Sequence, residues 1–127
     1  MKTRLLAGLA AALLSSAAYA QEPIRIGFLS TFSGPSGQLG QELLDGFKLG
    51  LAQSGDKLGG RAVEIIQSDD QAKPDVARQA ADKMLERDKI AILTGVNFSN
   101  VMLSVAKPAL DAGAFIVSVN AGPSQFA

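Results

Sequence analysis

The 127-residue sequence contains no cysteine, no histidine and no tryptophan. Without cysteine the chain forms no disulfide, so its stability must come from a packed core. The same absence excludes a lipid-anchored cysteine at the start of a mature protein. Because histidine and cysteine are the usual zinc ligands, and histidine is the commonest general base, metal-dependent and acid–base enzymes are poor candidates.

The first twenty residues, MKTRLLAGLAAALLSSAAYA, have the pattern of a cleaved signal peptide. Lys2 and Arg4 precede an apolar run over residues 5–14, and small residues follow up to Ala20. The run is shorter than the roughly 20 apolar residues that a membrane-spanning helix needs. We therefore expect residues 1–20 to be removed and the mature protein to begin at Gln21, free in the periplasm.

The charge of the mature chain gives no sign of a polyanionic partner. Without Lys2 and Arg4 the 12 basic residues fall to 10, against 12 acidic ones, a net charge of −2. No basic cluster stands out along the chain. We therefore expect neither nucleic acid nor an anionic membrane surface as a partner.

Strand and helix patterns alternate from residue 24 onward. Runs rich in Ile, Val and Phe predict strands over residues 24–30, 62–70, 90–96 and 114–120. Pro74 suits the first position of the second helix, and Asn97 or Ser99 is expected to cap the third. This order predicts an α/β fold in which a parallel sheet carries helices on both faces.

Each helix is expected to bury one stripe of apolar residues spaced three or four apart. The stripes are Leu39, Leu43, Phe47 and Leu51 in the first helix, Val76, Ala80 and Met84 in the second, and Val101, Met102, Val105, Ala109 and Leu110 in the third.

The stretch STFSGPSGQLG, residues 30–40, is a glycine-rich turn between the first strand and the first helix. Its glycines are spaced three apart, which differs from the G-x-G-x-x-G of dinucleotide-binding loops, and Pro35 removes one amide donor. Asp69 and Asp70 end the second strand where a ribose-binding carboxylate would lie, although a solvated strand end explains them as well. A secreted nucleotide-using enzyme therefore stays an alternative that depends on this acidic pair alone.

Taken in order, the segments IRIGFLSTFSGPSGQLGQELLDGFKLGL, LGGRAVEIIQSDDQAKPDVARQAADKML, ILTGVNFSNVMLSVAKPAL and FIVSV resemble one known family. It is the branched-chain amino acid (Leu/Ile/Val) type of the periplasmic solute-binding proteins of ABC transporters, which have the type I periplasmic binding protein fold. The resemblance implies that residues 21–127 form part of a Rossmann-like N-terminal lobe. It also implies a non-enzymatic function without a cofactor, in which a small ligand is held between two lobes and delivered to an inner-membrane permease.

The resemblance also implies where the ligand binds. Phe32 and Leu39 would line the pocket, Ser99 would bind the ligand carboxylate, and Asn120 and Gly122 would contact the ligand from the loop after the fourth strand. Leu39 replaces an aromatic residue and Gly122 replaces a threonine that are common in the family. These departures leave two ligand classes open, a branched-chain amino acid and an aromatic or other apolar carboxylic acid. An extracytoplasmic sensor with the same fold is a further alternative.

Overall fold

The computed structural model describes residues 21–126, so the predicted signal segment lies outside the described residues. The strands are β1 (Ile24–Ser30), β2 (Lys57–Leu58), β3 (Arg61–Asp69), β4 (Ile92–Thr94) and β5 (Phe115–Val117). The helices are α1 (Gly37–Gln53), α2 (Pro74–Glu86) and α3 (Ser99–Asp111), with single 3-10 turns at Gly34–Ser36 and Ser124–Phe126.

The five strands form one sheet in the order β2-β3-β1-β4-β5. β1 lies between β3 and β4 and is parallel to both, with Ile26 beside Ile65 on one side and Ile92 on the other. β5 extends the parallel part of the sheet beyond β4, and β2 is antiparallel to β3. The predicted α/β fold with a parallel sheet is therefore confirmed, except that β2, which was not among the predicted strands, is antiparallel to β3.

Neighbouring residues of β1 show that helices cover both faces of the sheet. A Cβ atom on Gly27 would lie 3.0 Å from Met84 Sδ, which places α2 on that face. The ring of Phe28, the next residue, packs 5.4 Å from the ring of Phe47 on α1, centroid to centroid. Since side chains alternate along a strand, α1 and α2 lie on opposite faces, and α3 packs beside α2.

The helices do not bury quite the stripes that the sequence predicted. α1 buries Gly40, Leu44 and Leu51, while Leu39 is 37% exposed and Phe47 is half-buried. The predicted stripe is right at Leu51 and wrong at Leu39, because α1 packs against its own loop through Gly40, which has no side chain. On α2 Met84 is buried as predicted, together with Ala77, Ala81 and Leu85, whereas Val76 and Ala80 are half-buried. On α3 the predicted Val101, Met102, Val105 and Ala109 are buried, and only Leu110, which is 62% exposed, departs from the predicted stripe.

The strand order reverses between β1 and β4. From β1 the chain passes to β3 on one side, and from β3 it crosses to β4 on the other side of β1. The loops that leave the carboxyl ends of β1 and β4 therefore diverge. In open α/β sheets, the crevice at such a point is where ligands bind.

Candidate functional site

The residues predicted to bind ligand lie in segments that follow the carboxyl ends of β1, β4 and β5. Phe32 lies in the loop after β1 and Leu39 in the first turn of α1. Ser99 follows the loop after β4, and Asn120 and Gly122 lie in the loop after β5. Because parallel strands end at one edge of a sheet, all five predicted residues belong to that edge.

The glycines of the loop after β1 serve the packing of α1. A Cβ atom on Gly37 would lie 2.7 Å from the Phe32 carbonyl oxygen, and one on Gly40 would overlap the Thr31 carbonyl oxygen. Gly34 has φ +68°, a conformation that favours glycine. At Gly37 and Gly40 the absence of a side chain thus lets the helix pack closely against its own loop.

Asp69 holds this loop from the end of β3. Its Oδ1 accepts hydrogen bonds from the amides of Phe32 and Gln71, each at 2.9 Å. Burial alone would raise the pKa of Asp69, but hydrogen bonds from the Ser33 side chain and from the amides of Phe32, Gln71 and Ser33 outweigh it and lower that pKa below its ordinary value. The carboxylate therefore fixes the position of Phe32.

Asp70 is fully buried, so the interpretation of this residue as a solvated strand end is wrong. Its Oδ1 accepts hydrogen bonds from Thr31 Oγ1 at 2.5 Å and from the Ala72 amide at 2.8 Å. Among the described residues its second oxygen, Oδ2, has no hydrogen-bond partner. A carboxylate enclosed in this way does not present itself to a ribose, and the acidic pair gives no support to a nucleotide site.

The loop after β4 is fixed by two buried polar side chains that the sequence did not single out as a pair. Ser30 Oγ lies 2.7 Å from the Gly95 carbonyl oxygen and in direct contact with the side-chain amide of Asn97. Gly95 has φ +91°, and a Cβ atom there would lie 2.7 Å from the ring of Phe28. Asn97 is 2% exposed.

Ser99 is the first residue of α3, and its exposed position is compatible with a ligand contact. Phe98, not Asn97 or Ser99, is the capping residue, and no side chain caps the helix. The predicted cap is therefore wrong. The first intrahelical bond runs from the Met102 amide to the Phe98 carbonyl oxygen at 2.9 Å. The amides before it have no acceptor within the helix, and together with the helix dipole they form a positive end that favours anions.

The loop after β5 is bound to the loop after β4. Asn120 Nδ2 donates to the Asn97 carbonyl oxygen at 2.8 Å, and the Ala121 amide donates to the Val96 carbonyl oxygen at 3.3 Å. The side chain of Asn120 therefore already has one partner within the protein. Gly122 is exposed beside it.

The larger of the two described cavities, about 530 Å³, lies between α3, β5 and the last described residues. Its lining includes Met102, Leu110, Phe115, Gly122 and Phe126 and is mostly apolar. Of the five predicted site residues, only Gly122 lines it. The described residues thus bring the five predicted positions to one edge without enclosing them in a shared pocket.

Within residues 21–126, no group of three or more acidic side chains is arranged to hold a metal ion. None of the described helices combines the length and the apolar character that a membrane crossing requires.

The fold is an α/β lobe in which the strand order reverses at β1, and in open sheets of this kind ligands bind at the carboxyl ends of the strands. The family described as Periplasmic binding protein matches residues 23–127, and the chain belongs to this family. It is 29% identical over 114 residues to the Leu/Ile/Val-binding protein homolog 6 of Brucella abortus (strain 2308). The matched segment covers 89% of this chain and 29% of that protein.

Two solved structures show the same fold. An ABC transporter substrate-binding protein from Sphaerobacter thermophilus matches with a TM-score of 0.76 and 38% identity, over 80% of this chain and 28% of that one. A solute binding protein of an ABC transporter from R. palustris, in complex with 4-hydroxybenzoate, matches with a TM-score of 0.77 and 28% identity, over 82% of this chain and 28% of that one. The chain therefore spans less than a third of each of these relatives.

Proposed function

We propose that the protein is the extracytoplasmic solute-binding component of an ABC transporter, which binds a small carboxylate without chemical change and delivers it to an inner-membrane permease. The single observation that carries this proposal is the uncapped start of α3, which lies beside the crevice between β1 and β4. Free amides at a helix N-terminus suit an anion, and an open crevice at strand ends suits a small molecule. Membership of the periplasmic binding protein family supports the proposal.

The proposed ligand carries one carboxylate and an apolar body. The Brucella relative is named for Leu, Ile and Val, and the R. palustris structure holds 4-hydroxybenzoate. These compounds share a carboxylate. In this proposal the amide and hydroxyl of Ser99 bind that group, Phe32 and Leu39 provide apolar surface beside it, and Asn120 and Gly122 contact the ligand from the loop after β5.

The experiment compares Ser99→Ala with the wild type in the full-length mature gene product. Isothermal titration with leucine, isoleucine, benzoate and 4-hydroxybenzoate identifies the acids that bind. A hydrogen bond to a charged group contributes about 1.5–3 kcal/mol, so the variant should bind its acid roughly ten- to a hundred-fold more weakly. The corresponding amide, such as benzamide or leucinamide, has no carboxylate and should show a smaller difference.

Ser104→Ala is the matched control, because Ser104 lies on the same helix and its hydroxyl donates to the Val101 carbonyl oxygen, away from the helix start. Its affinity for the acid should equal that of the wild type. Unchanged acid affinity in folded Ser99→Ala protein would place the carboxylate elsewhere. If the wild type takes up none of the four acids, the proposed ligand class is wrong.

A further inference from the structure

Asn97 connects the end of β1, the start of α3 and the loop after β5, all of which lie at the carboxyl ends of the parallel strands. Its side chain contacts Ser30 at the end of β1, and its own carbonyl oxygen accepts the hydrogen bond from Asn120 in the loop after β5. Two residues later α3 begins. Ser30 is fully buried and Asn97 is 2% exposed, so these contacts are shielded from water.

The chemistry of the Ser30 hydroxyl decides which way the Asn97 amide points. A hydroxyl has one hydrogen, and the Gly95 carbonyl oxygen, 2.7 Å away, can only accept it. If Asn97 Oδ1 also faced Ser30, one hydrogen would serve two acceptors. A half-turn of the side-chain amide exchanges its oxygen and nitrogen without moving the other atoms. Asn97 then donates from Nδ2 to Ser30 Oγ, and both bonds are satisfied.

In the opposite orientation, with its oxygen toward Ser30, the side-chain nitrogen of Asn97 is buried and has no partner among the described residues. In either orientation the side chain keeps one bond, and that bond is to β1.

We propose that Asn97 is a positioning residue for carboxylate binding. By joining the loop after β4 to Ser30 on β1, it fixes the direction in which the first amides of α3 point, and through its carbonyl oxygen it fixes the loop that carries Asn120. Its side chain is buried, so it acts through these neighbours without touching the ligand. The inference depends on the proposed function, since it concerns the anion site at the start of α3.

The competing explanation is that Asn97 only stabilises the fold. Loss of stability would weaken the binding of every ligand alike. Misdirected amides of α3, by contrast, would weaken the binding of a carboxylate more than that of the corresponding amide. The ratio of the affinities for an acid and for its amide therefore separates the two roles. Benzoate with benzamide and leucine with leucinamide are suitable pairs, and the pair whose acid the wild type binds more tightly is used.

The experiment measures both dissociation constants for Asn97→Ala and Ser30→Ala in the full-length mature gene product. Neither substitution introduces a charge near the proposed anion site. We expect each variant to lose roughly five- to tenfold in affinity for the acid, the effect of one disturbed charge-assisted hydrogen bond, and less than about twofold for the amide. Ser104→Ala should change neither constant.

Ser30→Ala removes only one oxygen, so it tests the inference even if an Asn97 variant fails to fold. Where both single variants fold, the double variant Ser30→Ala/Asn97→Ala should lose no more acid affinity than Asn97→Ala alone, because the two residues act through one bond. An unchanged ratio in folded Ser30→Ala overturns the inference while the proposed function stands. If the wild type binds none of the four acids, the proposed function fails and the inference falls with it.

Discussion

Asp69 is the single residue with the most direct control over the loop after β1. Its carboxylate accepts hydrogen bonds from the amides of Phe32 and Gln71, and these bonds are strongest while it is ionised. Its pKa in the folded protein lies below the ordinary value of 3.8. The stabilisation is therefore fully present above about pH 4 and is lost as the pH falls through the lower folded pKa.

Replacing Asp69 with Asn should lower the free energy of unfolding at pH 7, and the difference from the wild type should shrink as the pH falls below about 4. Urea unfolding at pH 7 and at pH 3 measures this difference. Asp45→Asn is the matched control, since Asp45 lies exposed on α1 and is bonded to Gln41. A difference that stays constant between pH 7 and pH 3 would contradict the assigned role of the charge.

The sequence predicted which residues follow the carboxyl ends of the strands but did not reveal their partners. Ser99 follows β4 and opens α3, as the resemblance implied, because strand and helix boundaries are local features. The pairs Ser30 with Asn97 and Thr31 with Asp70 join residues 67 and 39 positions apart, and no spacing in the sequence indicates such contacts. For the same reason the burial of Asp70, which depends on the whole fold, was missed.

Among the elements, α1 is the helix whose packing depends most on glycine. Gly40→Ala would place a methyl group against the Thr31 carbonyl oxygen, and backbone cannot move aside as a side chain end can. We expect a loss of about 1–3 kcal/mol in the free energy of unfolding, the cost of an overpacked core. Chemical denaturation of the full-length protein measures it.

Gly46→Ala on the same helix is the matched control. A Cβ atom at Gly46 meets no other atom within 4 Å, so the substitution should bring only the higher helix propensity of alanine, a gain of about 0.5–1 kcal/mol. If Gly40→Ala lowers the free energy of unfolding and Gly46→Ala raises it, the result supports the close approach of α1 to its loop. A loss of equal size at both positions would contradict it.

The elements that the sequence predicted well are those with strong local signals. β-branched runs identified the four parallel strands, although β4 and β5 have three residues each where seven were predicted. Pro74 marked the start of α2, where the structure has it. The β2–β3 hairpin was missed because β2 has only two residues. The signal was the Gly59–Gly60 pair, whose φ angles of +55° and +81° suit a tight hairpin turn.

At the scale of the whole molecule, residues 21–126 leave a large apolar surface uncovered. Phe115 is 74% exposed, Leu110 62%, Phe126 58% and Val117 52%, and they lie around β5 and the adjoining cavity. Contiguous apolar patches of this kind favour association. Residues 21–127 expressed by themselves should therefore self-associate as the concentration rises, which sedimentation velocity would detect.

Phe115→Ser should weaken this self-association, whereas Leu49→Ser should not. Leu49 is 63% exposed but lies on α1, on the opposite face of the sheet. A sedimentation coefficient that does not change with the concentration of the unsubstituted chain would show that the surface around β5 does not mediate self-association. Equal effects of the two substitutions would show that association does not depend on β5.

The central place of β1 in the sheet has a consequence for amide hydrogen exchange. β1 is bonded on both sides, and its second half is fully buried, whereas the described contacts give β5 a single neighbour. Local opening should therefore free β5 and the loop with Asn120 long before it reaches β1 and the loop with Phe32. The loops at the carboxyl ends of β1 and β5 then belong to separate cooperative units with different free energies of local opening. The loop that carries Asn120 can reorganise while the loop that carries Phe32 keeps its structure.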